Sequence, residues 1–225
     1  MTTCLAYDLG TIEYTEALRL QNRLVSAHID GNGGDVILFL EHPSVLTVGI
    51  AGGEENIIVS REVLASEGVP VVRVDRGGDI TYHGPGQLIC YLILDLKTQG
   101  SDIHQYVRNL EDVVIRGLAE YSISANRSPK HPGVWVGENK ICSLGIRVSR
   151  WISKHGFALN INTDLKYFTY INQCGLAERE VTSMSRLLGH DVSREAVITS
   201  LQEHCARVFG MNIRPEPVTG LGGYR

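Results

Sequence analysis

One of the five cysteines in this chain differs from the others in its sequence context. Cys174 comes shortly after the aromatic run KYFTY and directly before Gly175, outside any predicted helix or strand. Cys90 and Cys205 instead occupy periodic apolar positions, where a thiol packs as a small hydrophobic group. A loop thiol with backbone amides nearby is suited to nucleophilic attack on an acyl carbon. Cys174 is therefore the candidate nucleophile.

A cysteine nucleophile needs a neighbour that lowers its pKa from about 8.5, and two residues are candidates. Lys140 enters a predicted strand after the turn-forming residues 137–139, a position that also suits an ordinary surface lysine. His83 lies in a glycine-rich segment, where it either pairs with the thiol or only hydrogen-bonds to the loop backbone. Sequence spacing does not decide between these two partners.

The glycine-rich segment, RGGDITYHGPGQL, spans residues 76–88 and separates two apolar runs, PVVRVDR and QLICYLILDL, that we predict to be strands. It matches neither GxGxxG nor GxxxxGK[ST], so the two common nucleotide-phosphate loops are not supported. Glycines let the backbone approach a ligand closely, and Gly145 in the segment SLGIR offers the same freedom. We expect both segments to contact a bound molecule.

The composition is that of an ordinary globular protein, with 43% hydrophobic and 20% charged residues. A chain of 225 residues suits a single domain, residues 1–225. The net charge of −4 argues against a nucleic-acid-binding surface, and no apolar run reaches the roughly 18 residues that a membrane span requires. The first residues lack a basic start followed by an apolar run, so we expect a cytoplasmic location. Widely spaced cysteines without a CxxC pair indicate neither a disulfide framework nor a structural zinc site.

The order of predicted elements indicates the fold class. Helical periodicity is found at residues 13–29, 60–68, 102–121 and 192–210, the last with Ser193 or Asp191 as its N-cap. Short apolar runs predict strands, among them VILFLE and SVLTVG, which we expect to be adjacent, and QLICYLILDL, which we expect to be buried on both faces. The strands occur in hairpin-like pairs more often than they alternate with helices. This pattern predicts an α/β (α+β) fold with a mixed, largely antiparallel sheet flanked by helices.

Four segments together resemble the octanoyltransferases of lipoic acid biosynthesis, also called lipoyl(octanoyl) transferases or lipoate-protein ligase B. The most specific one runs without a break from Arg76 to Gln87, and the others are KICSLGIR at 140–147, HGFALN at 155–160 and CGL at 174–176. The resemblance extends over nearly the whole chain. One departure is visible, since the family usually has a proline before the cysteine and this sequence has Gln173.

The resemblance implies the catalytic-domain fold of the biotin and lipoate protein ligases and an acyl transfer in two steps. Cys174 would accept the octanoyl group from octanoyl-acyl carrier protein, and a lysine of a lipoyl domain would then receive it. By the family pattern Lys140, and not His83, is the partner of Cys174. Because the donor is already a thioester, neither ATP nor a metal ion is expected as a cofactor.

The resemblance also implies substrate contacts and protein partners. The acceptors would be the lipoyl domains of 2-oxoacid dehydrogenase E2 subunits and the glycine cleavage H protein, and the enzyme itself would be a monomer. Both kinds of protein partner are acidic in general, so we expect a basic rim around the site drawn from Arg73, Arg76, Arg147, Arg150 and Lys154. The expected substrate-binding residues are Arg76, Gly77, Gly78, Asp79, Ile80, Thr81, Tyr82, His83, Ser143, Leu144, Gly145, Gly156, Phe157 and Ala158.

Three other functions fit parts of this pattern. An ATP-dependent lipoate or biotin ligase on the same fold would form an adenylate and need no cysteine. A non-catalytic octanoyl-binding protein would keep its function without Cys174. A cysteine-dependent thioesterase would release free octanoate even when a lipoyl domain is present.

Overall fold

An eight-stranded sheet and a three-stranded sheet form the framework of the described chain. The computed structural model describes residues 2–129, 131–172 and 181–224. The strands are β1 (Thr3–Thr11), β2 (Asp35–Glu41), β3 (Val45–Val48), β4 (Val71–Arg73), β5 (Ile80–His83), β6 (Gln87–Ile93), β7 (Asn126–Arg127), β8 (Val134–Val136), β9 (Asn139–Ser149), β10 (Ile152–Asn160) and β11 (Asn212–Pro215). The α-helices are α1 (Tyr14–Ile29), α2 (Arg61–Ser66), α3 (Ile103–Ala119), α4 (Met184–Leu188) and α5 (Arg194–Phe209).

The strand order of the large sheet is β11-β1-β2-β6-β10-β9-β8-β7, and that of the small sheet is β4-β3-β5. Strand β1 is parallel to both of its neighbours, whereas the pairs from β2 to β7 are antiparallel. The predicted mixed, largely antiparallel sheet with flanking helices is confirmed. In the part of the chain that is described, none of the helices combines the length and the apolar character needed to cross a membrane.

The central strand β6 is buried at every residue, as its unbroken apolar sequence predicts. Helix α1 covers one face of the sheet with β6 and β10, and α3 packs on α5 over the other face. Helix α1 turns one side to the sheet because its buried residues, which include Tyr14, Gln21 and Leu24, recur at helical spacing. The sheet that carries the site is therefore covered on both faces.

Two predictions about the strands are wrong. Strands β2 and β3 are not adjacent, because β3 belongs to the small sheet and pairs with β4 and β5. The segment PVVRVDR is a strand only at 71–73, and the glycine-rich segment contains the strand β5. Strand β5 forms because it pairs with β3, residue His83 opposite Val45, and such a long-range partner leaves no local pattern.

The ends of the helices follow local signals. The Oγ of Ser193, and not the side chain of Asp191, caps α5 by accepting a hydrogen bond from the N–H of Ala196 at 3.2 Å. The Oδ1 of Asp102 caps α3 in the same way, by accepting a hydrogen bond from the N–H of Gln105 at 3.0 Å. The predicted helices at 13–29, 102–121 and 192–210 are thus confirmed to within a few residues.

Candidate active site

A cavity of about 300 Å³ lies between the glycine-rich segment and the paired strands β9 and β10. This volume is at the lower end of the range for small-molecule sites, which runs from about 300 to 1,000 Å³. The residues named from the sequence that line it are Arg76, Gly77, Gly78, Asp79, Ile80, Thr81, His83, Lys140, Ser143, Leu144, Gly145, Gly156, Phe157 and Ala158. The fold thus brings three separate segments to one cavity. Their contact with a substrate stays a prediction.

Tyr82 is the exception among the residues expected to bind substrate. Successive side chains of a strand point to opposite faces, so Tyr82 in β5 points away from the side shared by Thr81 and His83. Its ring stacks on Tyr167 with the centroids 4.7 Å apart, and its hydroxyl lies 3.0 Å from the Oγ of Ser44. The Tyr82 side chain is therefore packed inside the small-sheet core and does not line the cavity.

Two glycines let the backbone segments around the cavity come close together. Gly145 lies opposite Gly156 in the β9–β10 pair, and the N–H of Gly77 donates to the carbonyl oxygen of Ile146 at 2.9 Å. A Cβ added to Gly145 would lie 3.0 Å from the carbonyl oxygen of Gly77, and one added to Gly156 would lie 2.2 Å from that of Cys90. Gly156 therefore requires glycine, whereas a side chain at Gly145 would need the neighbouring backbone to shift by a few tenths of an ångström.

The Arg76 side chain fixes the start of the glycine-rich segment to β3. Its Nη2 donates to the carbonyl oxygen and the Oγ1 of Thr47, at 2.7 and 2.8 Å, and its Nη1 donates to the carbonyl oxygen of Gly77 at 3.0 Å. Arg76 is buried, as is Lys154, whose Nζ lies 2.8 Å from the Oδ2 of Asp75. The expectation of a basic rim is therefore wrong for Arg76 and Lys154.

The other three residues of the expected rim are Arg73, Arg147 and Arg150, and all of them are exposed. Their positions leave them free to meet a charged partner from solvent, but contact with an acidic partner stays a prediction.

Lys140 lies at the start of β9, as the sequence predicts, and lines the cavity together with His131 and Pro132. Its Nζ lies over the ring of Trp135, 5.0 Å from the centroid, a contact that favours the charged ammonium form. Its carbonyl oxygen accepts a hydrogen bond from the N–H of Thr182 at 2.9 Å. The described chain therefore resumes, after residue 180, beside Lys140.

The predicted nucleophile Cys174, the residue Gln173 before it and residues 175–176 lie outside the described residues. The described chain stops at Asn172, whose N–H donates to the carbonyl oxygen of Asn56 at 2.7 Å. The Nδ2 of Asn56 donates in turn to the Oδ2 of Asp79, a cavity residue, at 2.8 Å. The chain positions on either side of residues 173–180 are thus tied to two residues that line the cavity, Asp79 and Lys140.

The four described cysteines are buried free thiols, at positions 4, 90, 142 and 205. Burial raises the pKa of Cys205 to about 12 and raises the pKa of each of the other three as well. A thiol that stays protonated and inaccessible is a poor nucleophile. Their environment is that of packed hydrophobic groups, as the sequence predicts for Cys90 and Cys205.

His83 is buried and held by a polar network. The Nε2 of Gln87 donates to the Oδ1 of Asn160 at 2.9 Å, which leaves the Oε1 of Gln87 to accept from the Nδ1–H of His83 at 2.8 Å. Burial lowers the pKa of His83 well below its usual value, so the imidazole is neutral. The ring also stacks on Tyr14, with the centroids 5.8 Å apart. His83 is therefore a fixed, uncharged part of the cavity wall.

Sequence reasoning missed several residues that line the cavity, namely Tyr14, Ile89, Tyr91, Val107, His131, Pro132, Ile146 and His155. Ile146 and His155 had a signal, because they lie in the segments KICSLGIR and HGFALN that carry the family resemblance. Tyr14, Tyr91 and Val107 had none. They occupy ordinary apolar positions of α1, β6 and α3, and only the packing of these elements brings them to the cavity.

His42 and His155, together with His83, are buried histidines that predict a loss of protein stability in mild acid. The Nδ1–H of His42 donates to the carbonyl oxygen of Ile12 at 2.7 Å, and burial lowers the pKa of His42 to about 4. Burial also lowers the pKa of His155 to about 4, against the opposing hydrogen bond to Asp75. In the unfolded chain both pKa values return to about 6.5. Between pH 6.5 and 4 the unfolded state therefore binds more protons than the folded state, and the protein becomes less stable as the pH is lowered.

We expect the free energy of unfolding to fall by about 2 kcal/mol for each of these histidines between pH 7 and pH 5. Urea denaturation at the two pH values measures the change. His42→Gln should remove about 2 kcal/mol of this pH dependence, whereas the same substitution at the exposed His190 should leave it unchanged. Equal stability of the unsubstituted protein at pH 7 and pH 5 would contradict the prediction.

The chain is similar to known proteins over most of its length. Residues 13–206 match the family model of the lipoyl protein ligase A/B catalytic domain. The chain is 45% identical over 215 residues to an octanoyltransferase of Solibacter usitatus, covering 96% of this chain and 97% of that protein. It is 47% identical over 208 residues to an octanoyltransferase of Caldicellulosiruptor saccharolyticus, covering 92% of this chain and 88% of that protein.

Solved structures share the fold at low sequence identity. Lipoate-protein ligase A bound with ATP superposes with a TM-score of 0.76 at 17% identity, covering 96% of this chain and 89% of that one. Biotin protein ligase from Aquifex aeolicus superposes with a TM-score of 0.53 at 14% identity, covering 93% of this chain and 70% of that one. The predicted catalytic-domain fold of these ligases is confirmed.

Proposed function

This chain belongs to the family of lipoyl protein ligase A/B catalytic domains and, within it, to the octanoyltransferases, and we propose that it moves octanoyl from acyl carrier protein to a lipoyl domain through Cys174. The chain is an acyltransferase, and octanoyl transfer in protein lipoylation is its activity. The proposal concerns the donor, the acceptor and the thioester intermediate.

In the first proposed step, the Cys174 thiolate attacks the carbonyl carbon of the octanoyl thioester on acyl carrier protein. The bond from this carbon to Cys174 sulfur forms, and the bond to the carrier's sulfur breaks. The Lys140 ammonium favours the thiolate beforehand and then gives a proton to the departing carrier thiolate, which leaves Lys140 as a neutral amine. One thioester replaces another, so no ATP is required.

In the second proposed step, a lysine amine of a lipoyl domain attacks the octanoyl-Cys174 thioester. This lysine begins as an ammonium with a pKa of about 10.4 and must lose two protons, of which one goes to solvent and one to the neutral Lys140. The amide forms, and Cys174 departs as a thiolate. The enzyme regains its starting pair of Lys140 ammonium and Cys174 thiolate.

The observation that carries this proposal is the single cavity shared by Lys140 and the three glycine-containing segments. The described chain on both sides of residues 173–180 is hydrogen-bonded at this cavity, through Asn56 on one side and Lys140 on the other. These hydrogen bonds on either side of residues 173–180 are consistent with a Cys174 thiol near Lys140. The buried state of the four described cysteines leaves Cys174 as the proposed nucleophile.

The partners and the location follow from the same chemistry. The exposed Arg73, Arg147 and Arg150 suit the approach of acidic carrier and lipoyl domains, and we expect the rate of transfer to fall as salt concentration rises.

Four described cysteines are free thiols, which persist in a reducing compartment. The proposed location is therefore the cytoplasm.

The test compares acyl donors in the presence of a purified lipoyl domain. With octanoyl-acyl carrier protein and no ATP, we expect the lipoyl domain to gain one octanoyl group by mass spectrometry. With ATP and free lipoate or octanoate, we expect no modification. Modification only in the ATP reaction would establish a ligase instead, and free octanoate as the main product of the first reaction would establish a thioesterase.

A further inference from the structure

Lys140 and His155 lie at opposite ends of the stretch of β9 and β10 that lines the cavity. Ile146 of β9 lies opposite His155 of β10, and Lys140 comes six residues before Ile146. Six residues of strand span about 20 Å, so the backbones at the two ends of this wall are about that far apart. An acyl chain that starts beside Lys140 and extends along β9 therefore points toward His155.

The imidazole of His155 presents an unpartnered acceptor at this far end. Its Nε2 lies 2.9 Å from the Oδ1 of Asp75, and since a carboxylate only accepts hydrogen bonds, the proton is on Nε2. Nδ1 is then a bare acceptor. It is buried, and it has no hydrogen-bond partner among the described residues. His155 itself is only 1% exposed and lines the cavity.

Gln21 of α1 adds an unpartnered donor beside it. The Oε1 of Gln21 accepts a hydrogen bond from the backbone N–H of His155 at 2.9 Å, which fixes the orientation of the amide. The Nε2 of Gln21 is buried and has no partner among the described residues. Buried polar atoms almost always have a partner, so the Nδ1 of His155 indicates an ordered water or another polar atom at the far end of the cavity, and the Nε2 of Gln21 indicates one next to its own amide.

The group that holds the His155 ring reaches solvent. Asp75, which holds its ring, has a side chain that is 45% exposed and forms an ion pair with Lys154. Burial opposes the charge of Asp75, but hydrogen bonds from Lys154 and His155 lower its pKa to about 2, so it is ionised at neutral pH. The ring, which lines the cavity, is thus held by a permanent charge that reaches solvent.

We propose that His155, held by Asp75 and Gln21, forms a polar wall that closes the far end of the acyl cavity and limits the length of the acyl chain. This inference rests on the proposed octanoyl transfer and names the residues that set its substrate length. A longer chain would have to displace the polar group bound by the Nδ1 of His155 and place methylenes against an atom that needs a hydrogen bond. His155 acts here as a specificity-determining residue and takes no part in the chemical steps.

The principal test is His155→Gly, because His155 has a φ of 61°, which glycine adopts without strain. Acylation rates are measured by intact mass spectrometry with octanoyl, decanoyl and dodecanoyl carrier proteins. We expect the ratio of decanoyl to octanoyl kcat/KM to rise by about 10-fold or more, since two methylenes in an apolar pocket discriminate by at least that factor. His190→Gly, at an exposed position outside the cavity, serves as the control and should leave this ratio unchanged.

A second test uses the unsubstituted protein and so does not depend on the folding of a variant. A 7-hydroxyheptanoyl carrier has the same number of chain atoms as octanoyl but ends in a hydroxyl. A polar far wall predicts that its kcat/KM lies within about 10-fold of that of octanoyl, whereas an apolar wall predicts a loss of about 100-fold.

The outcomes separate the inference from the function on which it rests. An octanoyl adduct with an unchanged length ratio in His155→Gly, or a loss of about 100-fold for the hydroxyl chain, would overturn the polar wall and leave octanoyl transfer intact. No adduct with any chain length in the unsubstituted protein would overturn the proposed transfer itself.

Discussion

Replacement of Cys174 by serine is expected to reduce octanoyl transfer by about 10⁴-fold or more, the scale of loss when an enzyme's nucleophile is removed. A serine hydroxyl is almost fully protonated at neutral pH, and Lys140 alone does not convert it into an alkoxide. Binding of the carrier should persist because the cavity wall is unchanged. Intact-protein mass spectrometry after mixing with octanoyl-acyl carrier protein measures the adduct, which hydroxylamine should release from the unsubstituted protein.

The matched control for this substitution is Cys142→Ala. Cys142 lies in β9, two residues from Lys140, but its thiol is buried in the core and burial raises its pKa. We expect this variant to form the octanoyl adduct at close to the normal rate. An adduct on Cys174→Ser at the same rate as on the unsubstituted protein would place the acyl group on another residue and require the nucleophile to be reassigned.

Replacement of Lys140 by methionine is expected to slow octanoyl transfer by about 10²- to 10⁴-fold, the range typical of a lost general acid or base. Methionine keeps much of the length and apolar contact of the lysine over Trp135 but has neither charge nor exchangeable proton. Both steps should therefore slow, because the thiolate loses its cation and the incoming amine loses its proton acceptor. Single-turnover formation of the adduct and of the octanoyl lipoyl domain measures the two steps separately.

Lys140→Arg distinguishes the two roles of this residue. An arginine stays charged and cannot take a proton at neutral pH, so it can support the thiolate but not deprotonate the acceptor lysine. We expect the octanoyl adduct to form more slowly, because the carrier thiolate must take its proton from solvent, and then to accumulate in the presence of lipoyl domain. Lys97→Met, at an exposed position, is the control for the loss of a lysine and should transfer normally. Normal transfer to the lipoyl domain by Lys140→Arg would show that another group is the base.

The sequence predicted the elements whose stability depends on nearby residues. The buried faces of α1 and α3 follow from apolar residues three and four positions apart, and the cap at Ser193 follows from a single side chain. The continuous apolar run of β6 predicted a strand covered on both faces. The sequence also singled out Lys140 and the glycine-rich segment, because a cluster of glycines and a lysine next to a turn can be recognised without any tertiary contact.

Only the tertiary structure decided which of these residues meet. The cavity depends on the register that places Gly145 opposite Gly156 and on the hydrogen bond from Gly77 to Ile146, contacts between segments far apart in the chain. The pairing of β5 with β3 turns Tyr82 away from the cavity. The polar far wall arises where α1 brings Gln21 against His155. Local sequence patterns predict which face of a segment is buried. The site is formed by packing between segments, and no local pattern predicts which segments pack together.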